Sequence, residues 1–369
     1  MVRLGVKRMK FGSDPNYLFR MRPLPLSFIA TLAVAPVVSL AGQGQRAPTS
    51  VSRAITPLSA EALAGMETIT SADMKRRIEI IADDSMGGRD TPSRGLDATA
   101  RYIAGEFRKL GLTPSGDNGG FIQRYPLPTG QSSARRTAPN VVGILEGSDP
   151  TLKNEYIVLS AHMDHVGIGT PVNGDSIYNG ADDDASGTSG VLELAEALSR
   201  PGARPKRSVI FLTVSGEEHG LWGSAHFSSH SPVPIKQIVA DLNIDMIGRN
   251  WKDTIVVIGK EHSDLGTTLD RVNRAHPELG MKAIDDIWPQ ENFYFRSDHY
   301  NFARRGVPVL FFFNGTHADY HGPDDEPNRI DAEKASRIVR LVYLITQEVG
   351  NTQQRPVWNP ASYKQIVRP

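Results

Sequence analysis

Apolar residues recur along this chain with two different periods. Met74, Ile78 and Ile81 fall at helical spacing, and so do Leu96, Ala100, Ile103 and Phe107, which lead up to Gly111. The spacing predicts helices over 71–81 and 93–110, with Ser71 as a cap for the first and Gly111 just past the end of the second. From residue 121 the pattern changes to short runs: 121–127, 140–145, 156–161, 209–214, 238–244, 254–258 and 309–313. Several of these are apolar without alternation, as strands covered on both faces are. Helical periods return over 187–198, 221–229, 265–275 and 332–348. Strands alternating with helices predict an α/β three-layer sandwich. Its central sheet is mixed but mostly parallel and flanked by helices, with an antiparallel edge where the first two strands follow closely.

The two ends follow neither period. Residues 42–70 are rich in Gly, Ser, Thr, Pro and Ala and predict a linker or loosely packed arm. The folded domain is expected over 71–350. A tail over 351–369, with Pro356, Pro360 and Pro369, is expected to wrap the surface. At the start, Arg3, Lys7, Arg8, Lys10, Arg20 and Arg22 precede an apolar run over 24–41 that ends in Ser39-Leu40-Ala41. Pro25 and Pro36 interrupt the run, which disfavours a stable spanning helix. This layout predicts a secretory signal peptide cleaved near Ala41, with an uncleaved membrane anchor as the alternative and Met21 as a second candidate start. The protein is then exported, periplasmic or extracellular, and meets a membrane only if this segment stays attached.

The chain has 369 residues, and its 41 Lys and Arg balance its 41 Asp and Glu. That balance argues against a nucleic-acid partner bound by bulk basic charge. Six of the cations lie ahead of Ala41, so the remainder is mildly acidic. Cysteine is absent, which excludes disulfides, thiolate metal sites, cysteine nucleophiles and iron–sulfur clusters together. Any metal must be held by Asp, Glu and the 10 histidines.

Such residues gather at the carboxyl ends of the predicted strands, where open α/β sheets bind ligands. His162-Met163-Asp164 follows the strand 156–161, and residues two apart on a strand share a face, so Asp164 can orient the His162 ring. Asp182, Asp183 and Asp184 crowd a loop that leads into a helix, flanked by Gly180 and Gly187. A di-cation explains that charge density better than helix capping alone. Glu217 and Glu218 point in different directions, so one can bind metal while the other moves a proton. Asp245 closes an apolar run, and a buried unpaired carboxylate is costly. His321 lies in the loop 320–325. Two His and three carboxylates form a set suited to zinc, with cobalt or manganese possible, and one shared carboxylate would give a two-metal hydrolytic site.

Taken in order, HMD, GADDDASG, GEEHGLWGS, NIDMIG, RSDHYNF and YHGPDD resemble the zinc-dependent aminopeptidases of peptidase family M28, over roughly residues 71–348. The resemblance implies two Zn2+ per chain, with Co2+ or Mn2+ as substitutes. One would be held by His162, Asp183 and Asp245, the other by Asp183, Glu218 and His321. It also implies Asp164 as the residue orienting His162, Glu217 as general base toward a water between the ions, Tyr320 at the oxyanion, and a cis peptide after Asp183. Gly87-Gly88-Arg89 resembles the family's N-terminal segment, and Ser297-Asp298-His299 its substrate-side loop, with His299 not a ligand. His165, His219, His226, His230, His262, His276 and His317 receive packing or surface roles. Residues 127–140 are too few to hold the protease-associated domain that some members insert.

The implied activity is hydrolysis of a peptide or small protein, foremost as an aminopeptidase, with dipeptidase and carboxypeptidase action, side-chain preference and oligomeric state left open. Residues 288–295 and Trp222 are candidates for the specificity pocket. Two other readings use the same scaffold: a glutaminyl-cyclase-like acyltransferase with one zinc, and a receptor-like homologue that only binds.

Overall fold

The computed structural model describes residues 55–129 and 135–368. The expected signal peptide or anchor, and most of the expected linker, lie outside the described residues. Helices α1 (Ala60–Glu67), α2 (Ser71–Ile81) and α3 (Arg94–Lys109) come first. Strands β1 (Thr113–Pro114), β2 (Ile122–Pro126), β3 (Thr137–Leu145) and β4 (Tyr156–His162) follow. A hairpin of β5 (Gly167–Val172) and β6 (Asp175–Tyr178) leads to α4 (Gly187–Ser199), β7 (Ser208–Val214) and α5 (Trp222–Ser229). Next are β8 (Ile238–Asp245), β9 (Thr254–Ile258), α6 (Leu265–Ala275) and β10 (Lys282–Ile284). The chain closes with α7 (His299–Ala303), β11 (Val309–Phe313), α8 (Ala332–Asn351) and α9 (Pro360–Ile366).

Nine described strands form one sheet in the order β1-β3-β7-β4-β8-β11-β9-β10, with β2 also on β3. The central strands β7, β4, β8 and β11 run parallel. β1 and β2 pair antiparallel with β3, β3 with β7, and β9 with β11. The sheet is therefore mixed, with a parallel centre, as the sequence predicts. Alternate residues of one strand feed two apolar layers. On β4, Ile157, Leu159 and Ala161 join the layer under α2, α3, α4, α6 and α8, while Val158 joins the layer under α5, α7 and α9. Each fully buried Leu or Phe contributes about 1.5–3 kcal/mol. A buried cation ties the first layer's helices together: Arg77 of α2 bonds Glu106 of α3 and Glu193 and Glu196 of α4.

Both ends contain helix that the sequence pattern does not predict. Within 42–70 the chain already forms α1, capped by the Ser59 hydroxyl, with Ala62, Gly65 and Met66 buried. Its small residues let it pack closely against α4 and α8, so it carries no long apolar stripe to betray it: a Cβ on Gly65 would come within 2.8 Å of the Ala197 carbonyl. The N-cap of α2 is Thr70, one residue before Ser71. The tail contains α9, with Asn359 capping it and Pro360 in the first turn. Among the described residues, no helix is long and apolar enough to cross a membrane.

Candidate metal centre

His162 is the last residue of β4 and Asp245 the last of β8, its parallel neighbour. Glu217 and Glu218 follow β7, and His321 lies in the loop after β11. Asp183 arrives from the segment Ala181–Ser186 before α4. All six thus converge on one edge of the sheet. His162 Nε2 lies 3.2 Å from Asp183 Oδ1 and 3.6 Å from Asp245 Oδ1. On the other side of the same carboxylate, His321 Nε2 is 3.1 Å from Asp183 Oδ2 and 3.0 Å from Glu218 Oε2. Asp183 belongs to both groups.

His165 joins the second group. It is fully buried, with Nδ1 2.9 Å from Glu218 Oε1 and 3.6 Å from Asp183 Oδ2. The potential ligand atoms of His165, Asp183, Glu218 and His321 lie within 4.8 Å of one another, and so do those of His162, Asp183 and Asp245. His165 Nδ1, Glu218 Oε1, His321 Nε2 and Asp245 Oδ1 are buried and make no hydrogen bond. Buried polar atoms without partners are costly, and a cation at each group would satisfy them. The donor set, imidazole and carboxylate without thiolate, fits zinc.

The electrostatics agree. Burial would raise the Asp183 carboxyl, but His162, His165 and His321 hold it well below the usual range. Burial would lower His162, yet Asp245, Asp164 and Asp183 hold it well above. His321 is pushed up to about 10 against burial by Asp183 and Glu218. A cation at either group would compete with protons for these side chains, so metal binding would be pH-dependent.

The three consecutive acids have three different tasks. Only Asp183 faces the ligand atoms of both groups. Asp184 accepts from the N–H groups of His162, Gly187 and Met246. Asp182 Oδ1 accepts from Gly248 N at 2.5 Å. Asp325 in turn accepts from the N–H groups of Asp182 and Asp183. The Asp183–Asp184 peptide is cis, as the resemblance implies. His321 and Met246 both take the left-handed conformation, at φ 53° and 54°; backbone strain of this kind gathers at functional sites.

Asp164 lies beyond the end of β4, so strand geometry does not set its direction. Its carboxylate stands 3.6 Å from His162 Nδ1, while its carbonyl oxygen is nearer, at 3.2 Å. The carboxylate accepts from the Thr91 hydroxyl at 2.9 Å and from Gly216 N at 2.7 Å. It thereby moors the turn that carries Glu217. Arg89 is fully buried and donates to the carbonyls of Met163, Ile81, Asn179 and Gly180. Burial pulls its pKa down to about 10, which leaves it charged at neutral pH.

Glu217 and Tyr320 line a pocket with His162, Asp183 and Asp245. Burial, followed by the charges of Asp298, Glu218 and Asp245, pushes the Glu217 carboxyl well above its ordinary value, against the pull of His162. The Tyr320 ring stacks on His321 at 3.9 Å. Of the specificity candidates, Phe293 reaches the pocket wall and Trp288 packs against Phe293 and Phe313. Trp222 instead stacks on His219. Ser297 hydrogen-bonds Asp245 Oδ2 at 3.0 Å. His299 stacks on Phe311, and burial lowers it to about 3, a neutral packing residue.

Fold and site together define an α/β sandwich that gathers His, Asp and Glu side chains able to hold metal at one edge of its sheet. The chain belongs to peptidase family M28, whose model matches residues 140–346. Leupeptin-inactivating enzyme 1 of Streptomyces exfoliatus is 28% identical over 300 residues, covering 80% of this chain and 58% of that protein. The chain spans about three fifths of the length of the curated relatives it matches. The LapA aminopeptidase of Legionella pneumophila has the same fold, with a TM-score of 0.63 at 20% identity over 84% of this chain and 80% of that one. So has the glutaminyl cyclase of Porphyromonas gingivalis, with a TM-score of 0.58 at 15% identity over 76% and 98%. The fold alone therefore does not separate peptidase from cyclase.

Proposed function

We propose that this protein is an exported di-zinc metallopeptidase that removes amino-terminal residues from peptides. The observation that carries the reading is the Asp183 carboxylate, shared between two complete ligand groups with Glu217 in the same pocket. One position would use His162, Asp183 and Asp245; the other would use Asp183, Glu218 and His321, with His165 beside them. Zinc ions held there would lower the pKa of a water and polarise the scissile carbonyl. Glu217, left free of the ligand groups, takes the proton of the attacking water and returns it to the leaving amine. Asp164 holds the Glu217 turn and the His162 ring in register with each other. The Tyr320 hydroxyl is assigned to the oxyanion. Aminopeptidase action follows the relatives: an aminopeptidase of Bacillus subtilis is 25% identical over 230 residues. Export rests on the basic and apolar layout of residues 3–41, and N-terminal sequencing of the mature protein tests it.

The decisive variant is Glu217→Gln. It should keep its zinc and its melting temperature while kcat falls about 10²–10⁴-fold. A near-normal kcat would overturn the assignment of the base. Elemental analysis of the wild type separates the readings, since two zinc equivalents fit the peptidase and one fits the cyclase-like alternative.

A further inference from the structure

Part of the pocket wall beside the metal ligands is apolar, formed by Met246, Phe293, Phe311 and Phe313. That surface suits a hydrocarbon side chain and gives no reason for a guanidinium. Yet Arg296 lines the same pocket, about half exposed. Its position is set from two sides. The Arg296 Cζ stands 4.7 Å from the centroid of the Phe293 ring, a cation–π contact. Its chain neighbour Ser297 bonds Asp245 Oδ2 at 3.0 Å and accepts from Asn243 Nδ2 at 3.2 Å. The backbone is therefore pinned one residue away from a metal-side carboxylate.

Little of the guanidinium's bonding capacity is spent within the protein. Nη1 donates to the Glu291 carbonyl at 3.4 Å, and the Glu291 carboxylate is 3.7 Å away with both side chains half exposed. Water screens such a rim pair, and an incoming anion can replace it. Of the carboxylates that line the same pocket, Asp183 and Asp245 would be matched by the zinc ions, and Glu217 is left as the acid outside the ligand groups. Away from the metal positions a substrate carboxylate needs a side-chain partner, and Arg296 is the one guanidinium among the lining residues. Its planar fork matches a carboxylate in two parallel hydrogen bonds.

We propose that Arg296 is a specificity-determining residue that pairs with a carboxylate on the substrate, so that the site selects peptides with a negative charge close to the scissile bond. This rests on the peptidase reading above. Two sources share the chemistry: the free C-terminus of a dipeptide, and an acidic side chain on the residue that is released.

The test uses the zinc-loaded full-length protein and its Arg296→Gln and Arg296→Lys variants. kcat/KM is measured on leucyl-leucine against its amide, and on glutamyl-leucine amide against glutaminyl-leucine amide. At least one pair should show a wild-type preference for the carboxylate-bearing member of about tenfold or more. That ratio should fall toward one in Arg296→Gln and be partly kept in Arg296→Lys. A preference within the first pair identifies the terminal carboxylate, and one within the second identifies the side chain. Ratios near one in the wild type, or a ratio that Arg296→Gln leaves unchanged, overturn the inference while the peptidase reading stands. If no peptide is cleaved, the peptidase reading fails instead. Calorimetric binding of the same four peptides to wild type and Arg296→Gln then reads the carboxylate preference without turnover, and equal affinities overturn it.

Discussion

His162 and Asp245 reach the candidate metal centre as the last residues of paired strands, whereas His165, Glu218 and His321 reach it from loops. In the strand-borne half, register does the placing. Ser160 of β4 pairs with Asn243 of β8, and each ligand lies two residues further along its own strand. A buried chain of side chains stiffens this half: Ser160 bonds Asp241 at 2.7 Å and Asn243 at 2.9 Å, Asn243 donates to Ser297, and Ser297 donates to Asp245. In the loop-borne half no ladder sets the positions. Buried polar clamps replace it: Asp164 on the Glu217 turn, Asp325 on the Asp183 backbone, and Arg89 on the carbonyls of Met163 and Gly180. A sheet aims a side chain by pairing and stiffens it with side-chain hydrogen bonds; a loop relies on buried polar clamps for both.

The comparison breaks first at the residue both halves share. Asp183→Ala is expected to take zinc from two equivalents to near none and to abolish peptidase activity. Two equivalents retained, by elemental analysis, would show that the halves do not depend on one carboxylate. A smaller effect is expected from His165→Ala, which touches the loop-borne half alone. Chelator titration should show one zinc weakened about 10–100-fold and the other unchanged, with the metal-free melting temperature reporting any loss of folding. Two unchanged affinities would reduce His165 to packing.

The smallest effect on zinc and turnover is expected from a test of the stiffening of the strand-borne half. Burial pushes Asp241 up to about 8, and its Oδ2 has no hydrogen-bond partner. The folded state keeps a proton that the unfolded chain sheds near pH 4. Asp241 therefore costs no stability below about pH 4, costs progressively more as pH rises, and reaches its full penalty above about 8. The slope in between is about 1.4 kcal/mol per pH unit at most. Asp241→Asn should flatten the fall of melting temperature over that window and leave acid stability unchanged. An unaltered slope would mean that Asp241 titrates normally.

The strand-borne half was the more legible in sequence. A continuous apolar run that ends in His or Asp announces both the strand and the residue at its mouth. The resemblance to family M28 supplied the rest of the expected set, Asp183, Glu217, Glu218 and His321. Sequence alone gives His165 a packing or surface role, because a histidine after Asp164 has no periodic signature and its partners lie 18 or more positions away in the chain. Arg89 and Thr91 were unreadable as clamps for the same reason, since their contacts are set by tertiary packing. The hairpin of β5 and β6 escaped because its exposed residues lack the apolar alternation of a half-buried strand. Arg296 opens the RSDHYNF motif, but only the folded pocket shows what it faces.

The reach of Arg89 bears on where this protein can be divided. The family match begins at residue 140, yet Arg89 and Thr91 lie some fifty residues before it and hold both ligand-bearing loops. Cut away the leading helices, and carbonyls at Met163, Asn179 and Gly180 are left in the interior with no donor, while Asp164 loses its hydroxyl. The smallest autonomous unit is therefore longer than the segment the family model matches, and the turn that carries Arg89 and Thr91 is part of the site's foundation.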